Sequence, residues 1–336
     1  MKLFIQIPCY NEEKQLEKTL LDLPKKIKGI SSINILIIDD GSIDNTFNIA
    51  KKNNVDYIVS HKINRGLAKA FETGLKSCIA LGADIIVNTD ADNQYNAAYI
   101  EDLVKPILNN ECHICVGSRP IKNISDFSFF KKQLQKVGSF VVRKLSGIDI
   151  EDATSGFRSF SRYAALNLHV ISKFTYTLDT IFQAGQRNIQ IKNIPIEVNA
   201  KTRESRLFKS NFEYVLKSFL DIIYITAQVN PLKIFGSISL ISLLFGFFIG
   251  LRFIILMINS DFNFSNNTGY IQSLILCSVF LIFGGLGFLL SFISNQISAN
   301  RIFLEKLIFK LDQFDNKSKS NHLLNDLVYI KKGKKK

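Results

Sequence analysis

Two carboxylates one residue apart, Asp90 and Asp92, directly follow the apolar run Ile85-Ile86-Val87-Asn88-Thr89. Such a pair can share one hard divalent cation whose other ligands are phosphate oxygens, the chemistry of a diphosphate held through a metal. In an extended segment residues two apart point the same way, so both side chains would approach one ion. Asp and Asn also favour turns, and a lone Asp-Ala-Asp is more often a solvated turn. The surrounding chain decides between the two.

A short apolar run reads as a buried parallel strand, and open α/β sheets collect ligands beyond the carboxyl ends of their strands. Residues 1 to about 120 alternate such runs with helical patterns, which predicts strands at Leu3 to Ile7, Ile33 to Ile38, Tyr57 to Val59, Ile85 to Asn88 and Ile114 to Val116. Asn11 or Glu12 opens a helix with Leu16, Leu20 and Leu23 on one side, and Asp44 caps another. Gly66, Ala70 and Gly74 recur at four-residue spacing, so one helical face is small enough to approach a sheet or a ligand closely. From about Phe127 to Val198 amphipathic helices lead into a strand at Ile189 to Ile196, the acceptor side of the domain.

The 336 residues carry a formal net charge of +13, which suits an anionic partner. Nucleic acid would require a basic groove interleaved with aromatics or a recognition helix, and neither is present in the sequence, so no nucleic-acid partner is expected. The apolar start Leu3-Phe4-Ile5-Gln6-Ile7-Pro8 is too short for a signal peptide, so the N-terminal part is expected to stay cytosolic. Five cysteines without framework spacing argue against structural disulfides. Cys112 and Cys115 form a CxxC beside His113, but on a strand an odd spacing sends the thiols to opposite faces, which argues against a zinc or redox role.

Residues Ile234 to Ile258 are almost wholly apolar, with Arg252 the one charge, and Ile271 to Ile293 carry no charge. Each reaches roughly 35 Å as a helix, enough to span a bilayer. Arg252 lies near the far end of its segment, from which it can snorkel to headgroups. The loop Asn259 to Tyr270 carries only Asp261, whereas Lys209, Lys217 and Lys233 precede the pair and Arg301, Lys306, Lys310 and a lysine-rich C-terminus follow it. The positive-inside rule then places both termini and the N-terminal domain in the cytoplasm. Phe212, Val215, Leu216, Phe219, Leu220, Ile222 and Ile223 recur at helical spacing, the pattern of a helix in the membrane interface or of a core helix. The expected organisation is a catalytic domain over 1–205, interfacial helices over 206–232, a two-helix transmembrane domain over 233–294 and a basic tail over 295–336.

Four further segments end strands or follow them: Ile7-Pro8-Cys9-Tyr10-Asn11-Glu12-Glu13, Ile38-Asp39-Asp40-Gly41-Ser42, Gly117-Ser118-Arg119 and Asp152-Ala153-Thr154-Ser155-Gly156-Phe157-Arg158. With Asp90-Ala91-Asp92-Asn93-Gln94, and followed by two spans, they resemble the family 2 glycosyltransferases of the GT-A fold, most closely the polyprenyl-phosphate glycosyltransferases that include dolichyl-phosphate mannose synthase. The resemblance runs from about Leu3 to the second span. It implies an α/β, Rossmann-like and mostly parallel catalytic sheet, a nucleotide diphosphate sugar donor, a polyprenyl (undecaprenyl or dolichyl) phosphate acceptor in the bilayer, and an inverting hexosyltransferase active in cell-envelope glycan assembly.

By position, the resemblance implies a nucleotide site at Pro8, Tyr10, Glu12, Asp39, Asp40, Asp90 and Ala91, and Mg²⁺ or Mn²⁺ on Asp90, Asp92 and Gln94. Asp92 would act in catalysis, and Asp152 would serve either as base or to position the acceptor. A phosphate acceptor has a second pKa of about 6 and needs little help to lose its proton. Arg119, Arg158, Arg203 and Arg206 are the candidates for holding phosphate, since guanidinium forks match its oxygens. Thr202-Arg203-Glu204-Ser205-Arg206 departs from the Arg-x-x-Gly-x-Ser-Lys of many relatives, with Arg203 in the glycine's place, and leaves the sugar open. Similar proteins assemble as tetramers, although no pairing seam in this sequence demands one. The alternatives are a processive polysaccharide synthase, which lacks its Gln-x-x-Arg-Trp motif in this tryptophan-free chain, and an inactive GT-A membrane scaffold.

Overall fold

The computed structural model describes residues 1–119, 129–170, 175–199, 220, 222–259, 268–315 and 327–330. Arg203 and Arg206, residues 260–267 of the loop between the expected spans and most of the expected interfacial segment lie outside them; 222–229 are helical. The chain divides into two units, Met1–Ile225 with Leu311–Lys336, and Thr226–Lys310.

Alternating apolar runs and amphipathic segments build the first unit. Its strands are β1 (Lys2–Cys9), β2 (Ser32–Asp39), β3 (Tyr57–Ser60), β4 (Ile85–Asn88), β5 (Ile114–Ser118), β6 (Arg158–Ser161), β7 (Ile191–Pro195) and β8 (Leu327–Ile330). They form one sheet in the order β7-β5-β6-β4-β1-β2-β3-β8. β1 pairs in parallel with β2 and β4, β2 with β3, and β5 with β7. β6 runs antiparallel to both β4 and β5, and β8 antiparallel to β3. The helices of this unit are α1 (Leu16–Asp22), α2 (Thr46–Lys52), α3 (Leu67–Ala80), α4 (Ile100–Leu108), α5 (Phe129–Ser146), α6 (Arg162–Asn167) and α7 (Tyr176–Gln186). The five N-terminal strands fall where the apolar runs predict them. β6 is a finding the sequence did not supply, since the stretch containing it reads as helical.

Strands buried on both faces make the core: Leu3, Ile5 and Ile7 of β1 and Ile85 and Val87 of β4 are at most 1% exposed. Gly74 meets the sheet as its spacing predicts, because a Cβ there would lie 2.6 Å from Gln6 Oε1 and 2.8 Å from Ile38 Cδ1. Gly66 serves differently, standing just before α3 with a φ of +89°, a left-handed conformation that favours glycine. Asp44 sits one residue before the Asn45 cap of α2 and accepts the Thr46 backbone N–H at 3.0 Å. Cys112 precedes β5, so strand alternation does not govern it, and its sulfur lies 3.2 Å from Cys115 Sγ instead of on the opposite face.

The second unit is dominated by α8 (Pro231–Asn259) and α9 (Thr268–Asp315). Pro231–Asn259 and Ile271–Arg301 are each long and apolar enough to cross a membrane, with a mean hydropathy of 2.5. Large side chains point outward, Phe248 at 63% and Phe283 at 70% exposure. Small residues line the seam: a Cβ on Gly246 would lie 3.0 Å from Leu281 Cδ2, and one on Gly284 2.6 Å from Leu243 Cγ. Close approach through glycine is how helices gain packing energy where lipid removes any hydrophobic preference for each other. Ser242 Oγ donates to Phe280 O at 2.8 Å across this seam.

Candidate active site

Parallel strands end on the same edge of a sheet, so Cys9, Asp39 and Ser60 finish side by side, while β4 stops earlier with Asn88 level with Gln6. β6 enters this edge from the opposite direction. Asn88 pairs with Arg158, so the turn before β6 lies over the end of β4. A Cβ built on Gly156 would sit 3.3 Å from Asp90 Oδ1. The antiparallel insertion thereby brings the Asp152–Phe157 segment to the carboxylate that follows β4.

The Asp90–Gln94 turn is held from several sides. β4 stops at Asn88, so Asp90 and Asp92 occupy a turn and not the extended segment the spacing implied. Asn93 has a φ of +55°, and Asp92 Oδ1 accepts the Gln94 backbone N–H at 3.1 Å. Thr19 Oγ1 donates to Ala91 O at 2.8 Å, and Asn93 Nδ2 to Asp22 Oδ2 at 2.8 Å, which ties the turn to α1. Asn199 donates to Gln94 O and Asn93 O, each at 2.9 Å. Ala91, expected at the nucleotide, has its side chain in the hydrophobic core and its carbonyl taken by Thr19.

Asp90 and Asp92 are both half-buried. No cluster of three or more His, Cys, Asp or Glu suited to an ion occurs among the described residues. Two carboxylates without a protein cage fit a cation that arrives on substrate phosphates and keeps several waters, the usual habit of Mg²⁺.

Among the residues expected at the nucleoside, Tyr10 is 41% exposed after β1, while Pro8 lies within β1 and Glu12 is buried. Asp39 accepts the Ser42 backbone N–H and the Ser60 hydroxyl, both at 3.1 Å. Asp40, expected alongside it, is committed elsewhere. It accepts the Arg65 and Gly66 backbone N–H groups at 3.0 and 2.8 Å and lies 2.6 Å from His61 Nδ1, so its carboxylate fixes the start of α3. Burial pushes the Cys9 thiol up, and Glu12, Asp39, Asp44 and Asp90 push it further, so these four carboxylates share one field at the end of β1.

The side expected to meet the acceptor centres on Asp152, which is 0% exposed. Arg119 reaches it with Nε at 2.6 Å and Nη2 at 3.0 Å, and Nη2 also donates to Thr154 Oγ1 at 2.8 Å. Burial raises the Asp152 carboxyl, but the charge and hydrogen bonds of Arg119 and the Thr154 hydroxyl outweigh it and hold the group below the usual carboxylate range. A carboxylate in that position is a weak base.

Arg158 does not face a ligand. It is 0% exposed, donating to Ser155 O, Thr177 O, Thr180 Oγ1 and Ala153 O at 2.7–2.9 Å. Burial lowers its pKa to about 10, which leaves it charged at neutral pH. The expectation that it grips phosphate is therefore corrected: its fork is spent on bracing the Asp152–Gly156 turn against α7.

Residues that sequence reasoning missed complete this turn. Tyr95 Oη accepts the Gly156 backbone N–H at 3.0 Å, while Asn88 Nδ2 and Tyr176 Oη donate to Gly156 O at 2.9 and 3.3 Å. Asn193 accepts the Glu151 N–H at 3.2 Å and donates to Asp149 O at 2.8 Å. Tyr95 lies one residue beyond Gln94, within reach of the motif; Tyr176 and Asn193 carry no local signal. Burial pushes the Tyr95 phenol up to about 12, with Arg119 opposing and Asp90 and Asp152 adding to it, so the fields of Asp90 and of the Arg119–Asp152 pair meet at this ring.

The sequence profile described as Glycosyl transferase family 2 matches residues 4–168. A UDP-N-acetylglucosamine–dolichyl-phosphate N-acetylglucosaminyltransferase of Methanococcus voltae is 33% identical over 58% of this chain and 84% of its own length. The chain belongs to glycosyl transferase family 2. Another relative in this family, the dolichol-phosphate mannosyltransferase of Pyrococcus furiosus, is 27% identical over 64% of this chain and 62% of that protein. Glucosyl-3-phosphoglycerate synthase of Mycobacterium tuberculosis, solved with Mn²⁺, UDP and glucosyl-3-phosphoglycerate, superposes with a TM-score of 0.52 at 16% identity, covering 68% of this chain and 79% of that one. The shared architecture is the GT-A fold that the motifs of this family implied.

Proposed function

We propose that the protein transfers a sugar from a nucleotide diphosphate sugar to a polyprenyl phosphate, undecaprenyl or dolichyl, at the cytoplasmic face of a membrane, with inversion at the anomeric carbon. One observation carries the proposal: Asp90 abuts Gly156, which sets the carboxylate proposed for the donor beside the segment that carries the Arg119–Asp152 pair. Both named relatives act on a dolichyl phosphate, and they differ in the sugar.

Tyr10 and Asp39, with Pro8 and Glu12 shaping the strand end, would hold the nucleoside. Asp90 and Asp92, with Gln94, would hold Mg²⁺ or Mn²⁺ on the donor diphosphate, where the ion offsets the charge developing on the leaving group. Arg119 would meet the acceptor phosphate, with Arg203 and Arg206 adding positive charge from outside the described residues. At neutral pH the acceptor is largely deprotonated, since its second pKa is about 6. The low-pKa Asp152 is better suited to aiming Arg119 than to removing a proton.

The proposed organisation keeps the cytoplasmic catalytic domain over 1–205, interfacial helices over 206–232, the spans over 233–294 and a basic tail over 295–336. The pairing of β8 with β3 supports termini on the catalytic side, because the chain leaves for two candidate spans and then returns to the same sheet. A homo-oligomer is compatible with this arrangement.

Membranes containing the full chain, given radiolabelled nucleotide sugars and a divalent ion, are expected to yield labelled lipid-phosphate sugar. Asp92→Ala should abolish the transfer. Absence of transfer from every donor would overturn the enzyme assignment, and an active Asp92→Ala variant would overturn the metal assignment.

A further inference from the structure

Outside the proposed transferase site, the described residues hold one close pair of thiols, Cys112 and Cys115, with sulfurs 3.2 Å apart and no disulfide between them. Cys112 is 4% exposed in the bend before β5, and Cys115 is 0% exposed on the strand itself. Cys115 is in register with Lys192 of β7, and Lys192 reaches Glu111 at 2.5 Å in an exposed ion pair beside the Cys112 backbone. Cys9, Cys78 and Cys277, the other cysteines, are also free and buried.

We propose that Cys112 and Cys115 form an oxidisable dithiol, a modification site at which a peroxide converts the two thiols to an intramolecular disulfide. A disulfide requires its sulfurs at about 2.05 Å, so the pair starts about 1 Å too far apart and closes by side-chain rotation near the bend. Cys112 is the attacking sulfur. A hydrogen bond from Cys115 lowers its pKa against the opposing effect of burial, and the Lys192 charge, partly offset by Glu111, lowers it further. The same hydrogen bond and burial raise Cys115, so Cys112 is the first of the two thiols to lose its proton.

The chemistry balances without a cofactor. The Cys112 thiolate attacks one peroxide oxygen, the S–O bond forms as the O–O bond breaks, and the departing oxygen takes a proton and leaves as water or alcohol. Cys115 then attacks the sulfenic sulfur, the S–S bond forms, and the hydroxide leaves with the Cys115 proton as water. Two electrons pass from the two sulfurs to the peroxide. His113 stands aside from this exchange, 3.1 Å from Ser161 Oγ and packed on Tyr163.

The test uses the full chain in detergent, treated with hydrogen peroxide, alkylated, digested without reduction and analysed by mass spectrometry. The peptide holding both residues should appear two hydrogens lighter and unalkylated, and dithiothreitol should restore two alkylation sites. Cys115→Ser should stop the reaction at a sulfenic acid on Cys112 that dimedone captures. Two alkylated thiols after peroxide, or a sulfinic acid on Cys112 of the unmodified chain with no link, would overturn the proposal. The unmodified chain alone decides this, whatever the folding of the variant, and the peptides of Cys9 and Cys78 serve as internal references.

Discussion

Arg119 binds Asp152 through two nitrogens, at 2.6 and 3.0 Å, while Asp152 is 0% exposed and the arginine side chain 13%. The pair is thus a buried carboxylate carrying a partly accessible cation. Such an arrangement aims a guanidinium, and it removes the carboxylate from the pool of useful bases.

Asp152→Asn should therefore lower transfer without moving the acid limb of the pH profile, which the acceptor phosphate sets at about pH 6. A base role would instead remove or shift that limb. Measuring kcat/KM against pH for both forms distinguishes the two.

The same substitution has a stability signature. The folded pKa of Asp152 is depressed, so its contribution is full above the carboxylate pKa of the unfolded chain and is lost as pH falls through the lower folded value. Breaking a buried pair costs about 3–5 kcal/mol. The Tm gap between the original protein and Asp152→Asn should be widest near neutrality and shrink in acid.

Gly156→Ala puts a methyl 2.6 Å from Tyr176 Oη and 3.3 Å from Asp90 Oδ1. Overpacking of this kind costs about 1–3 kcal/mol. A lower Tm should come with a higher divalent-ion concentration for half-maximal transfer, because Asp90 is displaced. An unchanged metal titration would separate Gly156 from the donor side.

Arg158→Lys replaces a fork that serves four acceptors with a single ammonium. The expected result is a stability loss on the order of 3 kcal/mol, from buried carbonyls left unpaired. Acceptor KM should stay within a few-fold for the protein that remains folded. A raised acceptor KM at unchanged Tm would return Arg158 to the ligand.

Thr19→Val removes the hydrogen bond to Ala91 O while keeping the shape. About 1 kcal/mol of stability should be lost. Since the turn bearing Asp90 and Asp92 loosens, kcat should fall more than acceptor KM rises, as steady-state kinetics would register.

The sequence carries the donor half of the site more openly than the acceptor half. Apolar runs that stop at Tyr10, Asp39 and Asp90 announce parallel strands and a common edge, because burial on both faces forces near-continuous hydrophobicity. Arg158–Ser161 has no such run: a four-residue strand set antiparallel between two neighbours is specified by its partners. Arg158 reads as a ligand because residue type alone cannot separate a guanidinium bound to phosphate from one bound to carbonyls. Asp40 misleads in the same way, as a carboxylate whose acceptors are filled by the backbone of Arg65 and Gly66. Cys112 escapes because the period-two rule applies only inside a strand, and the strand begins two residues later.

The reversed direction of β6 also bears on how this crevice can diversify. Within α5, Phe129–Ser146, the chain can lengthen or shorten while the re-entry point stays pinned opposite Asn88. The Asp152–Phe157 hairpin-like approach has no such slack, since one inserted residue would swap the side chain that greets Asp90. Length variation should be tolerated in the first stretch and lethal to transfer in the second.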